Sequence, residues 1–218
     1  MTAQSRSAAP AGAPRVLVLG IGNLLWADEG FGVRAVEALH ERWSLPDQVQ
    51  VIDGGTQGLY LLDYVCAADH VLVFDAIDYR LPPGTLRVLR DADVPVWSDT
   101  TMSLHQASFM ELLSLARLRG CFPERITVIG VQPAVLDDLG GSLSALVRVR
   151  LAEAVQLAIE ELTFWGVAPT RRTRPPAHAL SAPALAMQAY EYGRPAADQA
   201  CRVGDARFLN QVHGREMR

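Results

Sequence analysis

The chain has 218 residues, half of them hydrophobic, which suits one soluble globular domain with a sizeable core. It carries 24 acidic and 20 basic residues, and every basic residue is an arginine, because the sequence contains no lysine. A P-loop nucleotide site and a pyridoxal-phosphate enzyme both require a lysine, so these two classes of protein are excluded.

The N-terminal residues 1–14 lack the apolar segment of a signal peptide, and their composition predicts a disordered arm. No apolar run approaches the roughly 18 residues that a membrane span requires. We therefore expect a cytoplasmic protein with no membrane partner.

Short apolar runs alternate with longer amphipathic segments after this arm. The runs predict strands at Val16–Leu19, Val49–Ile52, His70–Phe74, Thr85–Leu89 and Ile126–Ile129. The segments between them predict helices at Asp28–Trp43, Gly58–Ala67, Leu104–Arg119 and Leu143–Trp165. The run that begins at His70 could also be a buried helix, but its length and its valines favour a strand.

Strands that are apolar throughout indicate a sheet covered on both faces. The alternation of strands and helices makes this sheet largely parallel. The predicted fold class is therefore α/β: a single-domain α/β/α sandwich with a mostly parallel five-stranded sheet over residues 15–168.

The composition changes at about Pro169, where a basic, proline-containing C-terminal extension begins. Residues 169–218 hold 8 arginines and 4 acidic residues, whereas residues 1–168 hold 12 arginines and 20 acidic residues. The stretch TRRTRPPAHALSAPALAMQ predicts a linker or a partly ordered extension. Such a tail could contact an acidic partner, although tails of this kind are more often simply solvated. No basic patch in residues 15–168 indicates nucleic-acid binding.

The three cysteines, Cys66, Cys121 and Cys201, are far apart and form no C-x-x-C pair. Their odd number and their spacing argue against both a disulfide framework and a thiolate zinc site. We expect each of them to be a buried or idle thiol.

The stretch GIGNLLWADEGFG follows the first predicted strand and imitates a dinucleotide-binding turn, with Asp53 as the acid that would bind ribose. Two features oppose that interpretation. Leu25 replaces the third glycine, which allows close helix–strand packing, and the helix begins late with Asp28 and Glu29 in its first turn. Two carboxylates there would repel a pyrophosphate, so a cationic ligand fits better.

Four candidate groups lie at or just after the carboxyl ends of predicted strands, where parallel α/β sheets bind ligands. They are Glu29, Asp53, Asp75 and His105. An acid that ends a buried strand, as Asp75 does, is costly unless it is paired or bound to a cation. Structural alternatives stay open for the others: Glu29 could serve the helix dipole, and Asp53 could make a turn before two glycines.

Two neighbouring acids have structural interpretations that we prefer. Asp28 is expected to be a helix N-cap, and Asp78 is expected to be a solvated loop residue.

The segment Ser103-Leu-His-Gln106 matches a capping box and places His105 in the first turn of a helix. A helix N-terminus disfavours the imidazolium, so this histidine should be neutral, which is the form that binds metals. A surface histidine without a role is the alternative. Together with Glu29 and Asp75 it would make a mixed set of oxygen and nitrogen ligands for a borderline divalent metal.

The blocks GIGNLLWADEGFGVRAVEAL, IDGGTQGLYLL, VLVFDAIDY and SLHQ resemble the hydrogenase maturation endopeptidases. The resemblance covers about residues 15–165, and its first block is specific. It implies an α/β protease that removes the C-terminal extension from the large subunit of a nickel–iron hydrogenase after nickel insertion. The family's metal-contacting residues map onto Glu29, Asp75 and His105. The tail looks like the extended form found among the proteases of uptake hydrogenases.

The resemblance implies no resident cofactor, because the nickel is supplied by the substrate, the hydrogenase large-subunit precursor. Glu29, Asp75 and His105 would complete the coordination of that nickel, which would polarise the scissile carbonyl or activate a water. Whether a carboxylate also acts as general base stays open, so the endopeptidase is either metal-assisted or of the aspartyl type. The main alternative is a non-hydrolytic nickel-sensing or chaperone module, and a cofactor-dependent oxidoreductase has little support. We expect a monomer.

Overall fold

The computed structural model describes residues 12–94 and 104–195, and for residues 104–108 it describes the backbone alone. Most of the predicted N-terminal arm therefore lies outside the described residues. None of the helices in the described ranges combines the length and the apolar composition that crossing a membrane requires.

A five-stranded sheet forms the centre of the molecule. Its strands are β1 (Val16–Ile21), β3 (Val49–Gly55), β4 (His70–Ala76), β5 (Leu86–Arg90) and β6 (Arg125–Val131). Their order across the sheet is β3-β1-β4-β6-β5. Strands β3, β1, β4 and β6 are parallel, and β5 at one edge is antiparallel to β6. The prediction of a mostly parallel five-stranded sheet is confirmed.

Helices pack on both faces of the sheet and two short strands lie outside it. The helices are α1 (Phe31–Arg42), α2 (Leu62–Cys66), α3 (Leu104–Leu118), α4 (Ala145–Arg148), α5 (Leu151–Phe164) and α6 (Met187–Tyr192). The short strands β2 (Trp43–Ser44) and β7 (Thr170–Arg171) pair antiparallel with each other. Single 3-10 turns precede α1 at Ala27–Gly30, α2 at Gly58–Leu61 and α6 at Pro183–Leu185.

Two apolar clusters fill the space between the sheet and the helices. On one face α1 and α5 pack against the sheet, with Phe31, Leu39 and Leu162 among the buried side chains. On the other face α2 and α3 pack, with Val65 and Leu112 among the buried side chains. Burying one such leucine or phenylalanine contributes about 1.5–3 kcal/mol. Because both faces are covered, every residue of β4 is buried, which explains its unbroken apolar pattern.

The expectation that every cysteine is an idle thiol is wrong for two of the three. Cys66, the last residue of α2, forms a disulfide with Cys121, which follows α3, and their Cα atoms are 4.9 Å apart. The two helices pack side by side on one face of the sheet, so two cysteines 55 positions apart in sequence meet in space. Cys201 lies outside the described residues.

The C-terminal extension packs against the domain over its described part, residues 169–195. Strand β7 pairs with β2 after α1, and Leu180 and Met187 lie against the cluster between α1, α5 and the sheet. This part of the chain is therefore not a free linker. The predicted boundary between residues 168 and 169 stays a prediction.

Candidate functional site

The carboxyl ends of β1, β3 and β4 lie at one edge of the sheet. Gly20 of β1 pairs with Asp53 of β3 on one side and with Phe74 of β4 on the other. Asp75 is the next residue of β4, and the 3-10 turn that carries Glu29 contacts the same strand. The topology therefore brings Glu29, Asp53 and Asp75 to a common edge of the sheet. We call it the ligand edge, because α/β proteins of this type bind ligands there.

The glycine turn after β1 is shaped by the backbone of the Glu29 turn. Gly22 has φ = 133°, and a Cβ on it would lie 1.9 Å from the backbone carbonyl oxygen of Glu29. The side-chain oxygen Oδ1 of Asn23 accepts a hydrogen bond from the N–H of Leu25 at 3.0 Å and closes the loop. The role of Gly22 is therefore to let the Glu29 turn approach the end of β1 closely.

The third glycine that a dinucleotide fingerprint requires has a counterpart further along the chain. A Cβ on Gly32 would lie 2.1 Å from the carbonyl oxygen of Ile21 and 2.2 Å from that of Phe74. Gly32 thus permits the close packing of α1 on the sheet that Leu25 cannot provide. The packing glycine expected at position 25 is therefore at position 32. Asp28 and Glu29 nevertheless remain unsuited to a pyrophosphate.

Asp28 is not the N-cap of a helix. It lies inside the 3-10 turn, because α1 begins only at Phe31, and its side chain is fully buried. Its Oδ2 accepts hydrogen bonds from the N–H groups of Ala134 and Val135 and from the hydroxyl of Ser144, at 2.8–2.9 Å. Its Oδ1 accepts a fourth bond from the N–H of Ser144 at 2.7 Å. Asp28 therefore holds the Glu29 turn against the loop that follows β6.

Glu29 and Asp75 differ in how exposed they are. Glu29 is half-buried, whereas Asp75 is 0% exposed. Oδ1 of Asp75 accepts a hydrogen bond from the N–H of Ala76 at 2.8 Å. A carboxylate buried this deeply is favourable only with compensating hydrogen bonds or positive charge. Asp75 therefore favours a cation over an anion as the ligand of this edge.

Asp53 faces the C-terminal extension. Burial raises the pKa of its carboxyl above the ordinary value, and the neighbouring Glu37 carboxylate raises it further. The hydroxyl of Ser181, which donates to Asp53 Oδ2 at 3.3 Å and to Glu37, lowers it in part. The N–H of Gly55 also bonds to Asp53, as the turn interpretation predicts. Neither Glu37 nor Ser181 was singled out by the sequence, because they join Asp53 only in three dimensions.

His105 lies in the first turn of α3, since this helix begins at Leu104. Its side chain lies outside the described residues. Within residues 12–94 and 104–195, no group of three or more histidine, cysteine, aspartate and glutamate side chains is arranged to hold a metal ion. The three-residue ligand set therefore stays a prediction.

Gln132, which follows β6, is a residue that sequence reasoning missed. Its Oε1 accepts hydrogen bonds from the N–H groups of Tyr79 and Leu81 at 2.7 and 3.2 Å, and its Nε2 donates to Asp78 at 3.1 Å. Hydrogen bonds from the Arg80 N–H and from Gln132 hold the pKa of Asp78 below its ordinary value. Asp78 is thus part of an ordered loop at the ligand edge and not merely solvated.

Residues 33–161 match the family model of the hydrogenase maturation proteases, HycI. The chain is 51% identical over 206 residues to hydrogenase expression/formation protein HupD of Thiocapsa roseopersicina, across 93% of each protein. It is 41% identical over 154 residues to the hydrogenase 2 maturation protease of Escherichia coli K12, across 70% of this chain and 93% of that relative. The solved structure of hydrogenase maturating endopeptidase HybD from E. coli is similar, with a TM-score of 0.70 and 39% identity over 73% of this chain and 98% of that one.

Proposed function

The chain belongs to the hydrogenase maturation protease family, and we propose that it removes the C-terminal extension from the nickel-loaded large subunit of a nickel–iron hydrogenase. The family and the relatives support peptide-bond hydrolysis in hydrogenase maturation. The gathering of Glu29, Asp53 and Asp75 at one edge supports recognition of a cation there. The substrate's own nickel is the cation that we assign to this edge.

The observation that carries the nickel assignment is the buried Asp75 at the end of β4, next to the turn that holds Glu29. Nickel in the substrate would meet one oxygen ligand from each of these residues and a nitrogen from His105. A set of oxygen and nitrogen donors suits a borderline divalent ion. The protein then holds the metal-bearing segment of its substrate without a metal of its own.

The protein's residues position the reaction, and the substrate's nickel supplies the electrophile. Glu29, Asp75 and His105 would orient the nickel so that it polarises the scissile carbonyl or lowers the pKa of a water bound to it. Cys66 and Cys121 are disfavoured as nucleophiles, because they are joined to each other on the face of α2 and α3. Either carboxylate could accept the proton of the attacking water.

The test is to incubate the purified protein with a nickel-loaded large-subunit precursor and to weigh the subunit by mass spectrometry. Hydrolysis gives a subunit shortened by its C-terminal extension, and the Glu29→Gln variant gives none. A full-length subunit released in an active form would instead identify a chaperone. A subunit that stays full length and inactive would refute this precursor as the substrate.

We also propose that the protein works as a monomer in the cytoplasm, where newly made large subunits would be available to it. Size-exclusion chromatography with light scattering tests the oligomeric state, and fractionation of cells that express the protein tests the compartment. A stable dimer or a membrane-bound fraction would contradict these proposals.

A further inference from the structure

The C-terminal extension is anchored first at the end of α1 that lies away from the ligand edge. Helix α1 follows β1 and precedes the parallel strand β3, so its last residues lie at the amino edge of the sheet. There the Nε of Arg172 donates hydrogen bonds to the carbonyl oxygens of His40 and Trp43, at 3.0 and 2.9 Å. This anchor holds the extension without touching the candidate site.

From this anchor the extension runs back along α1 toward the ligand edge, meeting successive turns of the helix. The carbonyl of His178 bonds to His40 Nε2 at 2.9 Å, and the hydroxyl of Ser181 donates to Glu37 one turn earlier. The carbonyl of Leu185 accepts a bond at 2.6 Å from the buried Arg34, a further turn earlier. We call residues 178–195 the C-terminal brace.

At the ligand edge the brace contacts the loop between β6 and α4. The carboxylate of Glu191, in α6, accepts a hydrogen bond from the hydroxyl of Ser142 at 2.6 Å and pairs with Arg148. The guanidinium of Arg194 pairs with Asp138 at 2.7 Å. Two charged side chains of the brace thus hold one short loop, while its Ser181 reaches Asp53 on β3.

The same loop is joined directly to the turn that carries Glu29. The four hydrogen bonds of Asp28 end on it, and Trp26 forms backbone bridges with Leu139 and Gly141. The N–H of Gly140 donates to the carbonyl of Leu25 at 2.7 Å. An unbroken series of contacts therefore connects α6 through the loop to the Glu29 turn.

We propose that the C-terminal brace positions the Glu29 turn and Asp53 for the cleavage reaction, with Arg194 and Glu191 as positioning residues. This inference rests on the proposed function, because the reaction that is positioned is cleavage of the nickel-loaded precursor. The brace contacts the loop that supports the Glu29 turn and, through Ser181, the carboxylate of Asp53. Breaking its contacts at Arg194 or Glu191 therefore displaces the groups that act on the substrate, while Leu180 and Met187 keep their places against the core.

Two arginines of the extension provide a matched pair of variants. Arg194→Ala releases the brace from the loop at the ligand edge, whereas Arg172→Ala releases the extension at the opposite end of α1. Cleavage of the nickel-loaded precursor is measured over a range of precursor concentrations, alongside the melting temperature of each variant. Glu191→Ala is the second variant at the ligand edge, and Arg194→Lys keeps the charge that faces Asp138.

We expect Arg194→Ala and Glu191→Ala to lower kcat by about fivefold or more, with KM within about twofold of the wild type, as for loss of an interaction within one network. Arg172→Ala should keep kcat within about twofold, and Arg194→Lys should restore most of the loss. Equal losses of kcat in Arg172→Ala and Arg194→Ala would refute the proposal that the brace positions the Glu29 turn and Asp53. An unchanged kcat in Arg194→Ala and Glu191→Ala would refute it as well. Failure of the wild type to cleave would refute the proposed function itself.

Discussion

The α-carbon of Gly22 lies against the backbone carbonyl of Glu29, so closely that a Cβ on Gly22 would be 1.9 Å from that oxygen. The Gly22→Ala substitution should therefore displace the Glu29 turn, in addition to straining a backbone with φ = 133°. We expect cleavage to fall by at least about tenfold, because small displacements of positioned groups strongly affect rate. Precursor cleavage and thermal unfolding are the measurements.

The control for Gly22→Ala is Gly120→Ala. Gly120 also has a positive φ, 69°, but a Cβ there would meet nothing within 4 Å. This variant should lose some stability from backbone strain and keep its activity. Equal activity losses in the two variants would mean that strain, rather than contact with the Glu29 turn, explains the effect at Gly22.

Glu29→Gln and Asp75→Asn should each abolish turnover while leaving the fold stable. An amide keeps a carbonyl oxygen, so Asp75→Asn can still accept the bond from the Ala76 N–H, but it loses the charge that a nickel ligand needs. Outer residues of metal sites already change activity by about 10- to 100-fold, so we expect losses of about 100-fold or more. Cleavage rates and melting curves are recorded together.

An exposed acid away from the ligand edge provides the control for these two substitutions. Asp63 on α2 is 94% exposed, and Asp63→Asn should leave both rate and stability unchanged. An Asp75→Asn variant that is destabilised but active would remove Asp75 from the set of nickel ligands.

The Cys66–Cys121 disulfide should make the stability of the protein depend on redox conditions. It closes a loop of 55 positions between α2 and the end of α3, and loss of such a bond costs about 2–5 kcal/mol in small domains. Reduction and the double substitution of both cysteines by serine should therefore lower the melting temperature alike. Thiol titration in denaturant checks the bond: two fewer thiols should react before reduction than after it, and equal counts would contradict the pairing.

His70 should make stability fall as the pH decreases through the histidine range. Its ring is buried against Trp165, and no hydrogen-bond partner for its Nδ1 lies among the described residues. Burial lowers the pKa of His70, and Arg125 lowers it further. As the pH falls, the unfolded chain therefore binds the proton before the folded chain does. His70 leaves the free energy of unfolding unchanged above about pH 6.5 and lowers it as the pH falls below that value.

The measurement is denaturant unfolding of the wild type and of His70→Gln between about pH 8 and about pH 5.5. The difference in the free energy of unfolding between the two proteins should change over this range, because only the wild type carries the depressed histidine. A difference that stays constant with pH would show that His70 does not titrate differently on folding.

The sheet and its ligand edge could be predicted because they follow from local pattern. All seven residues of β4 are buried, so the apolar run from His70 is continuous and its end at Asp75 is marked by a change to a polar residue. Parallel strands then bring their carboxyl ends together without any knowledge of long-range contacts.

The details of the site depend on contacts that local pattern cannot show. Asp28 has the sequence position of an N-cap, yet Ala134 and Ser144, more than 100 residues away, draw it into a buried 3-10 turn. The same holds for Arg194 with Asp138 and for Cys66 with Cys121. A propensity argument treats each of these residues alone, and their roles arise only when distant segments pack together.

The most direct measurement compares cleavage of the nickel-loaded and nickel-free forms of one precursor. The protease is first shown by elemental analysis to carry no metal, so any nickel in the reaction belongs to the substrate. If Glu29, Asp75 and His105 act on the substrate's nickel, the metal-free protein should shorten the nickel-loaded subunit and leave the nickel-free subunit at full length. Equal cleavage of both forms, or cleavage only after a metal is added to the protease itself, would contradict the role of the substrate's nickel in cleavage.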